Sequence, residues 1–440
     1  MADDVDAQGI QGTTNHVQRS NINAMPAWHD EDDDLVDDTV NVEASEPAWV
    51  RKRRKYLQDS QRQGVSWDVD SDPSTLTGKL TKLKPTKHAS GVRFKIDRQN
   101  DSRHDITLAG GVKQLGFDPS NTLLAALGAK EKTVKLFRVD QHRSRGIHFR
   151  LKGETISLPS DGRSISAFSF ADEGKSMLMI SDHKSVVKYN VEQQSMLIIA
   201  SITNPYTASG YRKIHVPHDH DNHVGRDIFA LSSSDYGGVL ICDGRSNSIV
   251  HHFQMNAQSI GAAFYLPANM VITADEEANI YEWDITTGKC MNKFKDDHSL
   301  HLTSFAISPT VSAEFSRNAY LTTGSRTGFL NRFPLTSERD SNEGGTTCIQ
   351  GDLVKSYGNL STAITSIATE ESGTFIAYAS EHKRNAIRII HNPSSHVIGN
   401  WPTDSFNLGR ITDVAFGSKY NTLAIGNRRG RVQFFRIFTT

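Results

Sequence analysis

The chain has 440 residues, a formal net charge of −1 and 37% hydrophobic residues, room for one large folded domain with a tail. Its three cysteines, Cys242, Cys290 and Cys348, are too scattered for a disulfide framework or a paired-cysteine metal site, so a reducing compartment is expected. The first 25 residues are polar, so no secretory leader is expected there, and no apolar run reaches the length of a membrane span. The expectation is a soluble intracellular protein.

Near-neutral net charge conceals an uneven distribution. Residues 1–50 hold twelve Asp and Glu against one basic residue, Arg19, whereas residues 51–110 hold fourteen Lys and Arg against seven acids. Residues 1–50 lack hydrophobic periodicity and centre on the run Asp30–Asp34, so they read as a disordered acidic tail. Pro-Ala-Trp occurs twice within it, placing Trp28 and Trp49 where no core is expected. Each is a stray aromatic or a docking anchor for a partner. The cluster Arg51, Lys52, Arg53, Arg54 and Lys55 opens a basic linker over residues 51–104 and is a candidate nuclear-localisation signal.

From residue 105 to 440 a repeated pattern takes over, with short apolar strands separated by polar turns. Its clearest copy is ITDVAFGSKYNTLAIGNRRGRVQFFRI, Ile411 to Ile437. Earlier copies begin at Val112, Ile165, Ile228, Ile260, Thr303 and Ile364. The one starting at Ile228 is the most degenerate, and the one at Thr303 has a longer first turn. A Ser-, Gly- and Asn-rich stretch, Thr336 to Asp352, reads as an exposed insertion. In Asn385 to Thr403 a third strand turns at Asn392-Pro393 and a fourth ends at Trp401-Pro402, with Trp401 expected between blades. Such a sheet cannot bury its own faces, so repetition predicts a circular all-β array, a seven-bladed WD-type β-propeller, with six or eight blades as the alternatives the degenerate third unit leaves open. The last unit lacks a fourth strand, which the Asp105 to Leu108 segment is expected to supply, removing an open sheet edge.

Nothing in the chain has the spacing of a catalytic site. GAKEKT, Gly128 to Thr133, lacks the glycine spacing of a phosphate-cradling loop, and no nucleophile elbow is present. HDHDNH, His218 to His223, offers metal-ligating residue types, but no partner motif organises it and Pro217 places it in a loop. The reading is no cofactor, no metal and no enzyme. Trp283-Asp284 is the one WD dipeptide in the repeats, expected to join Thr273 and Asp275 in a structural polar network; Trp67-Asp68 falls in the linker.

The hairpin tips between second and third strands of a propeller project from one face. Here they carry Lys130, Lys132, Lys184, Arg245, Arg326, Lys383, Arg384, Arg428, Arg429 and Arg431, with the fourth unit alone acidic at Asp275, Glu276 and Glu277. Polar tips are ordinarily just solvated. The functional alternative is a basic arc over blades six, seven and one, in which Lys383, Arg384, Arg428, Arg429 and Arg431 neutralise RNA phosphates.

NAIRIIH, GNWPT and LAIGNRRGRVQFFRI together resemble the C-terminal signature of the U3 small nucleolar RNA-associated protein 18 family. The resemblance continues upstream through LVKSYGNLSTAITSIA and IYEWDITTGKCMNKFKDD, and PAWHDEDDD is similar to the family's Trp-plus-acidic tail stretch. It is strong over the final 160 residues and weak over the first three units. It implies a nucleolar, non-enzymatic scaffold of the small-subunit processome, in the UtpB subcomplex, near U3 RNA and the 5′ external transcribed spacer of pre-rRNA, needed for 18S rRNA maturation. Family members also recruit the exosome-associated RNA helicase through a tail motif of Leu, an aromatic and a following Asp. The nearest match is Leu35-Val36-Asp37-Asp38, which lacks the aromatic. The alternative on the same fold is a substrate receptor of a cullin-type ubiquitin ligase. Such receptors usually carry an Arg two residues after the WD dipeptide, where this chain has Thr286.

Overall fold

In the computed structural model, residues 94–439 are described except 100–105, 143–145, 159–163, 182–184, 200–209, 218–227, 234–236, 309–318, 336–348, 350–352, 404–405 and 418–420. These residues form seven small antiparallel sheets, the blades of a β-propeller. Strands are lettered a to d outward from the propeller axis.

Blade 1 comprises Val112–Phe117, Leu123–Gly128, Thr133–His142 and Gly146–Ser157. Blade 2 comprises Ile165–Ala171, Ser176–Ser181, Val186–Asn190 and Ser195–Ile199. Blade 3 starts earlier than its sequence suggests, at Tyr211–His215, followed by Ile228–Ser233, Gly238–Asp243 and Ser248–Gln254. Blade 4 runs Ser259–Tyr265, Met270–Asp275, Asn279–Asp284 and Cys290–Lys295; blade 5 runs Leu302–Ser308, Ala319–Ser325, Leu330–Leu335 and Lys355–Tyr357. Blade 6 has Ser366–Thr369, Phe375–Ala379, Ile387–His391 and the two-residue His396–Val397. Its fourth strand therefore ends before Trp401. Blade 7 has Ile411–Gly417, Thr422–Asn427 and Arg431–Thr439.

The edge of blade 7 is completed from the other end of the described chain, by two segments rather than one. Ile106–Thr107 pairs with Val432 and Arg431, inside the predicted segment, but Phe94–Arg98 pairs with Phe435 to Thr439 and supplies the longer stretch. Phe94 to Arg98 therefore belong to the propeller and not to the linker expected over residues 51–104. Their alternation escapes notice because Lys95, Asp97 and Arg98 flank a single buried apolar residue, Ile96.

The core lies between blades, not within them. Strand b is fully buried in blades 1, 2, 4, 6 and 7, because both of its faces meet a neighbouring sheet. Among the described residues the buried apolar side chains fall into seven clusters, each bridging two consecutive blades, including one that joins blade 7 to blade 1 through Phe434, Ala424, Leu115 and Leu124. The ring is therefore closed by packing as well as by strand pairing. Trp401 belongs to the blade 6–7 cluster, 3% exposed and edge-on to Phe435 at 5.4 Å, the wedge its sequence context suggested.

Around the axis, side chains of strand a pass hydrogen bonds from blade to blade. Gln114 exchanges two bonds with the Phe168 backbone, at 2.8 and 3.1 Å, and Lys213 Nζ donates to Ile260 O at 3.1 Å. Ser304 Oγ donates to Ile364 O at 3.1 Å, and Ser366 Oγ donates to Asp413 Oδ1 at 2.8 Å. Burial, reinforced by the charge of Arg212, holds the Lys213 ammonium down at about 8. Trp283 Nε1 donates to Thr273 Oγ1 at 2.8 Å as expected, while Asp275 instead accepts from Tyr281 and Asn279. The stretch read as an exposed insertion is described only at Ile349, which is buried, bridges to Leu335 and donates its N–H to Glu282 Oε1 at 2.9 Å.

Candidate nucleic-acid interface

Because strands alternate in direction, the b–c hairpin tips and the d–a connections between blades share one face. On that face the tips of blades 5, 6, 7 and 1 lock onto neighbouring connections. Ile364 N donates to Ser325 O at 3.1 Å, Asn385 N to Gly409 O at 2.8 Å, Arg428 N to Arg410 O at 2.9 Å and Ala129 N to Gly111 O at 2.8 Å. The four tips thus form one continuous surface.

An asparagine anchors each of the blade 6 and blade 7 tips. Asn427 Oδ1 accepts the backbone N–H groups of Arg429 and Arg431, each at 3.0 Å, while its Nδ2 donates to Leu408 O at 3.0 Å. This side-chain-mimicked turn leaves Arg428 and Arg429 pointing outward. The turn also needs Gly430, at φ +83°, since a Cβ there would fall 2.0 Å from Leu108 O. Asn385 instead ties the blade 6 tip to the connection into blade 7. It adopts φ 57°, which asparagine tolerates, and its Oδ1 accepts Leu408 N at 3.0 Å and Gly409 N at 3.2 Å. Lys383 and Arg384 precede it.

Lys383, Arg384, Arg428, Arg429 and Arg431 are all exposed, and none makes an ion pair with another described residue. Arg326, Lys130 and Lys132 are exposed on the same face. Arg410, exposed in the blade 6–7 connection, joins them; the hairpin-tip pattern does not reveal it, because it lies in a d–a connection that reaches the same face. Of the acids that dilute this charge, Glu131 is occupied, binding Lys135 Nζ at 2.7 Å and Ala109 N at 2.8 Å. Glu381 is exposed beside Lys383. The blade 4 tip carries exposed Glu276 and Glu277, so the basic surface ends there.

Arg245 does not belong to this set. Blade 3 begins at Tyr211, so the turn holding Arg245 joins its third and fourth strands and lies on the opposite face. The error follows from taking Ile228 as the first strand of that unit. Lys184 lies outside the described residues, as do Trp28, Leu35, Trp49, the Arg51–Lys55 cluster, Trp67-Asp68 and His218 to His223. Among the described residues no group of three or more His, Cys, Asp or Glu side chains is placed to hold a metal ion. The exposed cations described have the charge needed to neutralise phosphates along a backbone.

No protein-family model matches the chain. It is 22% identical to the U3 small nucleolar RNA-associated protein 18 of Saccharomyces cerevisiae, over 81% of this chain and 62% of that protein. It is 27% identical to the Mus musculus homolog over 48% of this chain and 36% of the relative, and 22% identical to the Caenorhabditis elegans homolog over 94% and 96%. The chain thus spans less than two thirds of the mouse and yeast relatives. Similarity is not confined to the C-terminal signature; over most of its length the chain resembles the U3 small nucleolar RNA-associated protein 18 family.

Proposed function

We propose that the protein is a non-enzymatic scaffold associated with U3 small nucleolar RNA and acting in ribosome biogenesis in the nucleolus. The observation that carries this reading is the similarity to U3-associated proteins of fungi and animals over more than four fifths of the chain. A seven-bladed propeller with a basic arc over the tips of blades 5, 6, 7 and 1, and with inner strands tied to their neighbours by structural hydrogen bonds, suits a platform for macromolecules better than a pocket for a small substrate. In the finer reading the protein belongs to the UtpB subcomplex of the small-subunit processome and lies near the 5′ external transcribed spacer. The tail then supplies a contact for the exosome-associated RNA helicase, with Leu35 as its anchor, and Arg51 to Lys55 direct nuclear entry. Within this reading, Lys383, Arg384, Arg428, Arg429 and Arg431 hold RNA phosphates. The test is depletion of the protein from cells. Mature 18S rRNA should fall while the large-subunit rRNAs stay nearly unchanged; equal loss of both, or of neither, overturns the proposal.

A further inference from the structure

One side chain on the basic face has no electrostatic role and is not packed away. Phe329, the single phenylalanine in the described b–c tips, is 45% exposed although the residue after it, Leu330, is fully buried. Its position is fixed rather than floppy. Ser325 N donates to Phe329 O at 2.9 Å, and Phe329 N donates to Ser325 Oγ at 3.0 Å, closing the turn from both sides. Gly328, at φ +92°, lets that turn lie on the connection into blade 6, where a Cβ would meet Leu360 O at 2.3 Å. The ring itself rests against the bare backbone of Gly358, since a Cβ added there would stand 2.9 Å from Phe329 Cε1.

The ring is continuous with the cations. Arg326, exposed, opens the same four-residue turn. The connection under the turn reaches the blade 6 tip through Thr362 Oγ1, which lies 2.8 Å from Ser380 Oγ, three residues before Lys383. Cations alone recognise phosphates whether the strand is paired or not. A fixed, half-open aromatic ring beside them adds a partner that only an unstacked base can use.

Resting on the reading that this face binds RNA, we propose that Phe329 is a stacking platform for an unpaired base and that the ligand of the arc is single-stranded RNA. The phosphates of that strand would follow Arg326, Lys383 and Arg384 toward blade 7, away from the acidic tip of blade 4.

The experiment measures binding of the full chain to an unpaired RNA of about 12 nucleotides, within the ~4–16-nucleotide footprint of aromatic-lined grooves, and to a blunt RNA duplex of equal length. Phe329→Ala should weaken single-strand binding by about fivefold or more, leave the salt dependence unchanged and leave duplex binding unchanged. Phe329→Trp should restore single-strand affinity. Equal single-strand affinity in Phe329→Ala and the parent overturns the stacking proposal. It leaves the arc standing if replacing Lys383, Arg384, Arg428 and Arg429 by Ser still weakens binding. If that charge variant binds as the parent does, the arc itself falls and the stacking proposal falls with it.

Discussion

Asp413, in the innermost strand of blade 7, accepts the backbone N–H of Leu115 in blade 1 at 2.7 Å, and its other oxygen takes the Ser366 hydroxyl of blade 6 at 2.8 Å. One carboxylate therefore ties three blades at the point where the ring closes. Burial pushes its pKa up to about 6, even though the Leu115, Ser366 and Val414 donors and the charge of Lys213 all favour the ionised form. Because the folded-state value lies above the unfolded one, this group's contribution is fully present below about pH 4 and is lost as pH rises through about 6. Asp413→Asn keeps an acceptor for Leu115 and should flatten stability across that window, whereas Asp413→Ala should cost about 1–3 kcal/mol near neutral pH. Urea unfolding as a function of pH reads both effects; an unchanged pH slope in the Asn variant contradicts the assignment.

Closure by two short segments predicts a graded response to truncation. Removing residues 1–90 spares both Phe94–Arg98 and Ile106–Thr107 and should leave thermal unfolding cooperative. Removing residues up to 112 takes both, bares the edge of Arg431–Thr439 and strips Ile96, Ile106 and Leu108 from two inter-blade clusters. That product should melt at clearly lower temperature or aggregate. Equal melting temperatures of the two truncations argue against closure by these strands.

Arg332 is 1% exposed in blade 5, stacked on Tyr320 at 4.1 Å and donating to Ser395 Oγ at 3.1 Å, Tyr357 OH at 3.4 Å and Asn392 Oδ1. It pins the c–d turn of blade 6 onto blade 5. Arg332→Ala should destabilise by about 3 kcal/mol through the void and the stranded acceptors. Arg332→Lys should not rescue it, since a single ammonium cannot span three acceptors and stack on a ring. Chemical denaturation of both variants decides, and a loss below about 1 kcal/mol in the Ala variant contradicts this role.

The fold was legible because each blade repeats its own punctuation. Turns such as Asp118-Pro119 and the buried runs Leu123–Gly128 and Thr422–Asn427 declare strands without any tertiary information. Legibility failed where periodicity was cut. Tyr211–His215 is separated from its partner strand by residues 216–227, so the local pattern starts blade 3 one strand late and places Arg245 on the wrong face. Phe94–Arg98 pairs with the other end of the chain, a contact no local pattern encodes. Lys383, Arg384, Arg428 and Arg429 were readable as exposed because tips between buried strands must be. Arg410 and Phe329 were not, since their exposure depends on how tips and connections meet.

The electrostatic reading of the arc makes a prediction separate from stacking. Replacing Lys383, Arg384, Arg428 and Arg429 by Ser touches only exposed tips, so the melting temperature should hold. If these side chains sit on phosphates, RNA affinity should fall and the slope of log K against log salt should become shallower by up to about three to four units. Filter binding across a salt series measures it. An unchanged affinity and slope means that the face is simply solvated or meets protein.

Association with U3 RNA is decided by affinity purification of the tagged full chain from its own cells, with bound RNA and protein identified. U3 small nucleolar RNA and pre-rRNA spacer sequence should be enriched far above other abundant small RNAs, together with processome proteins. Recovery of cullin adaptors without U3 RNA, or of neither, would contradict it.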